Sequence, residues 1–183
     1  MNNGYKKILW GLIFTTFHIN LGVIQILPTF VGYIIVYFGI DKIVKDYKLN
    51  SLEKSSKYCS ILALMSFISV AMPFSGLEVN NSIFNIIWSN TFQVIELFMV
   101  YKLLEGSIEI LEKSNNQLWS EYNKKVPVYI ILYTVFIVLS NINQIFMIDG
   151  LIAGITLLAL CIRIWITIVI GKLSKLQIST IQN

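Results

Sequence analysis

The chain has 183 residues, of which 56% are hydrophobic and 13% charged, and its mean hydropathy is +0.71. That is more apolar surface than a soluble domain of this size can bury, so composition argues against a water-soluble globule. It predicts an all-α fold: a polytopic membrane helical bundle forming one integral membrane domain over residues 1–183. The net charge of +4 does not point to nucleic acid, because the basic residues lie singly or in pairs at the ends of apolar runs and form no continuous patch.

Six apolar stretches follow one another along the chain. The first, Ile8 to Leu27, is preceded by Tyr5-Lys6-Lys7. It lacks a small-residue cleavage site and is interrupted by His18 and Asn20, which predicts a retained span and not a signal peptide. The second runs from Thr29 to Val44, so two crossings and a turn must fit into Ile8 to Val44. Two straight spans of about 20 residues each need more chain than that. The stretch Asn20 to Pro28 is therefore a candidate for an interrupted helix or a shallow outer turn, with Pro28 lacking a backbone donor and Gly22 disfavouring helix, and two tilted or short helices in a locally thinned bilayer are the competing reading.

The third stretch is Tyr58 to Phe74, ended by Pro73 and Gly76, and the fourth is Ile83 to Leu104. A polar region then spans Glu105 to Lys125. It reads as an extension of the fourth helix to Glu112, a turn at Ser114-Asn115-Asn116, and a short amphipathic piece carrying Leu118, Trp119 and Tyr122 at the headgroup boundary. The fifth stretch is Val126 to Ile148 and the sixth Leu151 to Gly171. Continuous apolar runs of this kind are helical, not the alternating segments of a barrel.

Flanking cations set the orientation. Lys6 and Lys7, then Lys42, Lys45, Lys48, Lys54 and Lys57, then Lys113, Lys124 and Lys125, and finally Lys172 and Lys175 fall on one side, with Lys102 on its boundary. The opposite loops carry only Glu78 and Asp149. The expectation is six spans arranged as three outward-pointing hairpins in a bacterial cytoplasmic membrane, with both termini cytoplasmic. Tyr5, Trp10, Tyr47, Tyr58, Tyr101, Trp119 and Tyr122 would mark the inner headgroups and Trp88 the outer ones.

Ionisable residues within spans are costly and tend to face the bundle interior. Three stand out: His18, Glu96 and Arg163. The fourth and sixth spans run the same way, and both Glu96 and Arg163 fall about 18 to 20 Å from their outer ends at 1.5 Å per residue. An ion pair between them is expected. Ser89, Gln93 and Glu96 share one helical face beside Asn90; Ser140, Asn141, Asn143 and Gln144 occupy the outer half of the fifth span. With His18 and Asn20 they outline a polar cavity floored by Glu96 and Arg163. The candidate ligand-binding residues are thus Glu96, Arg163, Gln93, Asn90, His18 and Asn141. A structural interhelical network is the competing reading.

No enzymatic activity, cofactor or metal is expected. The single His lies in an apolar span without a strand-turn-helix Ser motif, and the glycines form no phosphate loop. Cys59 and Cys161 read as small apolar residues. Gly32 with Gly39, and Gly150 with Gly154, read as sites of close helix approach. The expected partners are the lipid bilayer, a small solute or ion, and, if the polar residues only hold the bundle together, another membrane protein.

The opening stretch, Trp10-Gly11-Leu12-Ile13-Phe14, then His18-Ile19-Asn20-Leu21 and Ile26-Leu27-Pro28-Thr29-Phe30-Val31-Gly32-Tyr33, resembles a pattern near the start of uncharacterised small polytopic membrane proteins of Gram-positive bacteria. The resemblance implies a membrane fold and no activity. In size, span number and predicted termini the chain also looks like the substrate-binding membrane subunits of energy-coupling-factor vitamin transporters. It departs from their Ala-rich first helix, since Ile8 to Leu27 contains no Ala.

Overall fold

A computed structural model of the chain describes residues 2–16, 20–21, 24–25, 28–72, 82–114, 118–146 and 149–179. Among the described residues the regular structure is helical apart from one minimal antiparallel pairing. Its elements are α1 (Asn2–Thr16), β1 (Asn20–Leu21), β2 (Ile24–Gln25), α2 (Thr29–Tyr47), α3 (Asn50–Ala71), α4 (Ser82–Lys113), α5 (Trp119–Asn123), α6 (Lys125–Phe146) and α7 (Asp149–Ser179). Two stretches, Trp119–Phe146 and Gly150–Lys175, are long and apolar enough to cross a membrane.

The six long helices form a ring in the order α1, α2, α3, α4, α6, α7, closed by α7 packing on α1 and crossed by a smaller α4–α7 contact. Neighbours are antiparallel. Gly4 meets Gly39 while Gly11 meets Gly32; Ser55 meets Met99 while Ser69 meets Trp88; Ser89 meets Gln144 while Glu96 meets Tyr133. In each pair one number rises as the other falls, which is the signature of opposed helices. Strict alternation makes α4 and α7 run in the same sense.

The α1–α2 contact is the tightest. A Cβ on Gly11 would come within 2.7 Å of the Gly32 carbonyl oxygen, and one on Gly39 within 2.7 Å of the Gly4 carbonyl oxygen and 2.9 Å of the Ile8 nitrogen. Four glycines thus let two backbones touch, the small-residue packing that serves helices when no hydrophobic drive separates a helix from its surroundings. The expected close approach at Gly32 and Gly39 is present. At Gly150 and Gly154 it is not: an added Cβ at either would meet nothing within 4 Å. The spacing of two small residues permits close packing but supplies no partner, and the ring places none against that face of α7.

Buried apolar side chains concentrate at the end of the ring that carries the chain termini. Tyr5, Ile8, Ile40, Ile43, Leu52, Leu103, Leu111 and Leu173 are all nearly or fully buried there. Short α5 closes this end, with Tyr122 buried and Trp119 partly exposed. The α2–α3 turn is set by Lys48, whose φ of 49° is left-handed and whose N–H donates to the Val44 carbonyl at 2.7 Å. A cavity lies toward the other end of the ring.

α1 stops well short of the expected first span. It ends at Thr16, and the chain continues into the pairing of Asn20 with Gln25 and Leu21 with Ile24. At 15 residues α1 is about 22 Å long, too short to cross a hydrocarbon core by itself. The expected first span is thus not one continuous helix; the rest of the expected irregular segment, Gly22 included, lies outside the described residues.

Candidate functional site

Near the end of α1, the carbonyl of Thr15 accepts a hydrogen bond from Arg163 Nη1 at 2.7 Å. The positive guanidinium thus faces the negative end of that helix. Two further local bonds help to close the end: the Thr15 and Thr16 hydroxyls each donate to the Leu12 carbonyl, at 2.9 and 2.7 Å.

The other arm of Arg163 engages Glu96. Nη2 lies 2.8 Å from Oε1 and 3.0 Å from Oε2. Glu96 is 14 residues past the start of α4 (82 to 96) and Arg163 is 14 past the start of α7 (149 to 163), so parallel helices bring them to one height. Among the described residues the remaining ion pairs, such as Lys45 with Asp41 and Lys102 with Glu105, join residues three or four apart in sequence. The Glu96–Arg163 pair is the one that ties two distant helices together.

Aromatic hydroxyls surround the carboxylate. Tyr133 on α6 donates to Glu96 Oε2 at 2.6 Å, a short charge-assisted bond. The Tyr33 hydroxyl on α2 is buried beside the same carboxylate, and the Tyr129 hydroxyl on α6 is buried without a hydrogen-bond partner. A small space of about 10 Å³, bordered by Tyr129, Tyr133, Thr167 and the ion pair, lies behind the guanidinium.

On its other side the pair floors a cavity of about 530 Å³. Thr15 and Thr16 of α1, Thr29 of α2, Ser66 and Ser69 of α3, and Ser89 and Gln93 of α4 supply its polar lining, with Thr156 of α7. Trp88, Phe92 and Phe136 supply aromatic surface. All six long helices contribute to this one cavity, α6 through Phe136.

Of the six candidate residues, Glu96, Arg163 and Gln93 line this cavity. Asn90 and Asn141 bond each other instead, with Asn90 Nδ2 donating to Asn141 Oδ1 at 2.6 Å, and are not part of the cavity wall. They belong to an α4–α6 ladder in which Gln93 Nε2 donates to Ser89 and Ser140 and Gln144 Nε2 donates to Ser89, all at 3.3 Å. His18 lies outside the described residues.

Sequence reasoning missed Thr15, Tyr133, Ser66, Ser69 and Thr156. A detectable signal existed for Tyr133, which follows Tyr129 by one helical turn in an otherwise aliphatic run. None existed for Thr15, whose contribution is a backbone carbonyl near the end of α1.

No family model, curated protein or solved structure matches this chain.

Proposed function

We propose that the protein is a multi-pass membrane protein, crossing the bilayer six times with both termini in the bacterial cytoplasm, that binds a small solute in the cavity above Glu96 and Arg163 as a transport component. The observation that carries this reading is the cavity itself. A space of about 530 Å³ falls in the ordinary range for small-molecule sites, roughly 300–1,000 Å³, and its floor is a charge pair that a purely structural bundle would be expected to seal.

Membrane placement draws support from the outward faces of all six long helices. Trp10, Phe38, Leu64, Ile87, Ile131 and Leu157, one from each, are large apolar side chains that remain exposed. A soluble protein rarely displays such a continuous apolar girdle. Within α4, Ile83 to Tyr101 carries Glu96 as its single charged residue.

The test is labelling of Ser69→Cys, on the cavity wall, in a Cys161→Ser background with a membrane-impermeant maleimide. Labelling from the outside of intact cells, slowed by solutes that also raise thermal stability, is the expected result. Labelling from the cytoplasmic face alone contradicts the topology, and a broad solute screen without protection or thermal shift contradicts solute binding.

A second reading, an accessory membrane subunit held together by a Glu–Arg clasp, is favoured by one observation. The pair's bonds reach the α1 end and α6 as well as each other, so it joins four helices. In that case a partner protein co-purifies and no solute changes stability.

A further inference from the structure

The hydrogen-bond inventory of the cavity is one-sided, and this deepens the solute-binding reading on which it rests. Four lining hydroxyls have given their protons to helix carbonyls one turn back: Thr15 and Thr16 to Leu12, Ser69 to Met65 and Thr156 to Ile152. The Trp88 indole N–H donates to Ser69 at 3.0 Å. Gln93 Nε2 is engaged by Ser89 and Ser140, and both terminal nitrogens of Arg163 are engaged by Thr15 and Glu96. What the four hydroxyls still present to the cavity is oxygen lone pairs.

Two acceptors are more specific. Gln93 Oε1 is buried and has no partner, a state that costs about 1–3 kcal/mol if left unmet. The Glu96 carboxylate, which accepts from Arg163 and Tyr133, is the acidic group on the cavity lining. The faces of Phe92 and Phe136 adjoin them and would complement a cation. An anionic ligand finds no unshared cation there: the one positive group on the lining, Arg163, is already paired with Glu96. A bare metal ion is far smaller than the cavity, and among the described residues no group of three metal-binding side chains exists.

We propose that the cavity takes an organic ammonium ion, its N–H groups donating to Gln93 Oε1 and Glu96 and its carbon skeleton lying on Phe92 and Phe136. Because Glu96 and Arg163 cancel in net charge, the selectivity comes from supplying donors to an acceptor-rich wall, not from long-range attraction. Thr29 and Ser66, whose hydroxyls rotate freely between donating and accepting, do not oppose it.

The test uses the full-length protein in lipid nanodiscs with three probes of equal chain length: n-butylammonium, butyrate and 1-butanol, at matched ionic strength, read by calorimetric titration and thermal shift. The expected result is saturable binding of butylammonium at least about tenfold tighter than either isostere, equivalent to about 1.4 kcal/mol. Gln93→Leu should lose most of that preference, and Gln93→Glu should tighten butylammonium, which keeps the result interpretable if the leucine variant folds poorly. Tighter binding of butyrate or butanol overturns the ammonium assignment while leaving a solute site in place. Absence of saturable binding by butylammonium, tetramethylammonium and guanidinium alike also overturns it. Failure of every solute class in the maleimide protection screen overturns the binding reading as well.

Discussion

Removing one partner of the Glu96–Arg163 pair should cost far more than removing both. In Glu96→Gln the guanidinium keeps its bond to the Thr15 carbonyl but loses its counter-charge; in Arg163→Met the carboxylate keeps only the Tyr133 bond. Glu96 has 9% of its side chain exposed and Arg163 27%, the latter where it borders the cavity. Each single change strands a desolvated charge, for an expected loss of about 3–5 kcal/mol. The double variant strands none. It leaves the Thr15 carbonyl uncapped, a loss of about 1–3 kcal/mol for one buried acceptor, so it should be no less stable than either single variant. Reversible unfolding of the four proteins in a mild detergent titrated with a denaturing one measures the cycle. Losses that add to within about 0.5 kcal/mol would refute the coupling.

Tyr133→Phe removes a charge-assisted bond and should lower stability by about 1.5–3 kcal/mol, whereas Tyr129→Phe deletes an unpartnered hydroxyl and should be neutral or stabilising. Both are read by the same unfolding assay. Gly39→Ala drives a Cβ onto backbone atoms of α1 and should lose about 1–3 kcal/mol. By contrast, Gly154→Ala meets open space and should gain up to about 1 kcal/mol from helix propensity, a contrast visible in melting temperatures. On the water-exposed side, the hydrogen bond from Lys125, and secondarily its charge, holds the Glu121 carboxyl below the usual carboxylate range. A depressed folded value means that the pair contributes above the unfolded carboxylate pKa and is lost as pH falls through the lowered one. Lys125→Met should therefore move the Glu121 midpoint back up in a carbon-detected NMR titration.

The run from Ile83 to Leu104, the extension to Glu112 and the short amphipathic piece at Trp119 could be read from hydrophobic patterning, and α4 and α5 follow that reading closely. Patterning also put Glu96 and Arg163 at one depth, because rise per residue is fixed once a helix is recognised. It failed at the first stretch, where the apolar run to Leu27 includes Asn20–Leu21 and Ile24–Gln25, which pair as strands. Apolar character reports burial or lipid contact, not backbone conformation.

By itself, then, the sequence determined the helices beyond the first stretch, their alternating sense and the heights of Glu96 and Arg163, since all three follow from periodicity along a single chain. Tertiary structure alone decided which faces meet. It matched Gly4 and Gly11 with Gly39 and Gly32 and left Gly150 and Gly154 unmatched. It turned Asn90 toward Asn141 while Gln93 reached the cavity, and it placed the carbonyl of Thr15 beside Arg163. Those outcomes depend on each helix's rotation and neighbours around a closed ring, which are fixed by packing between segments far apart in sequence.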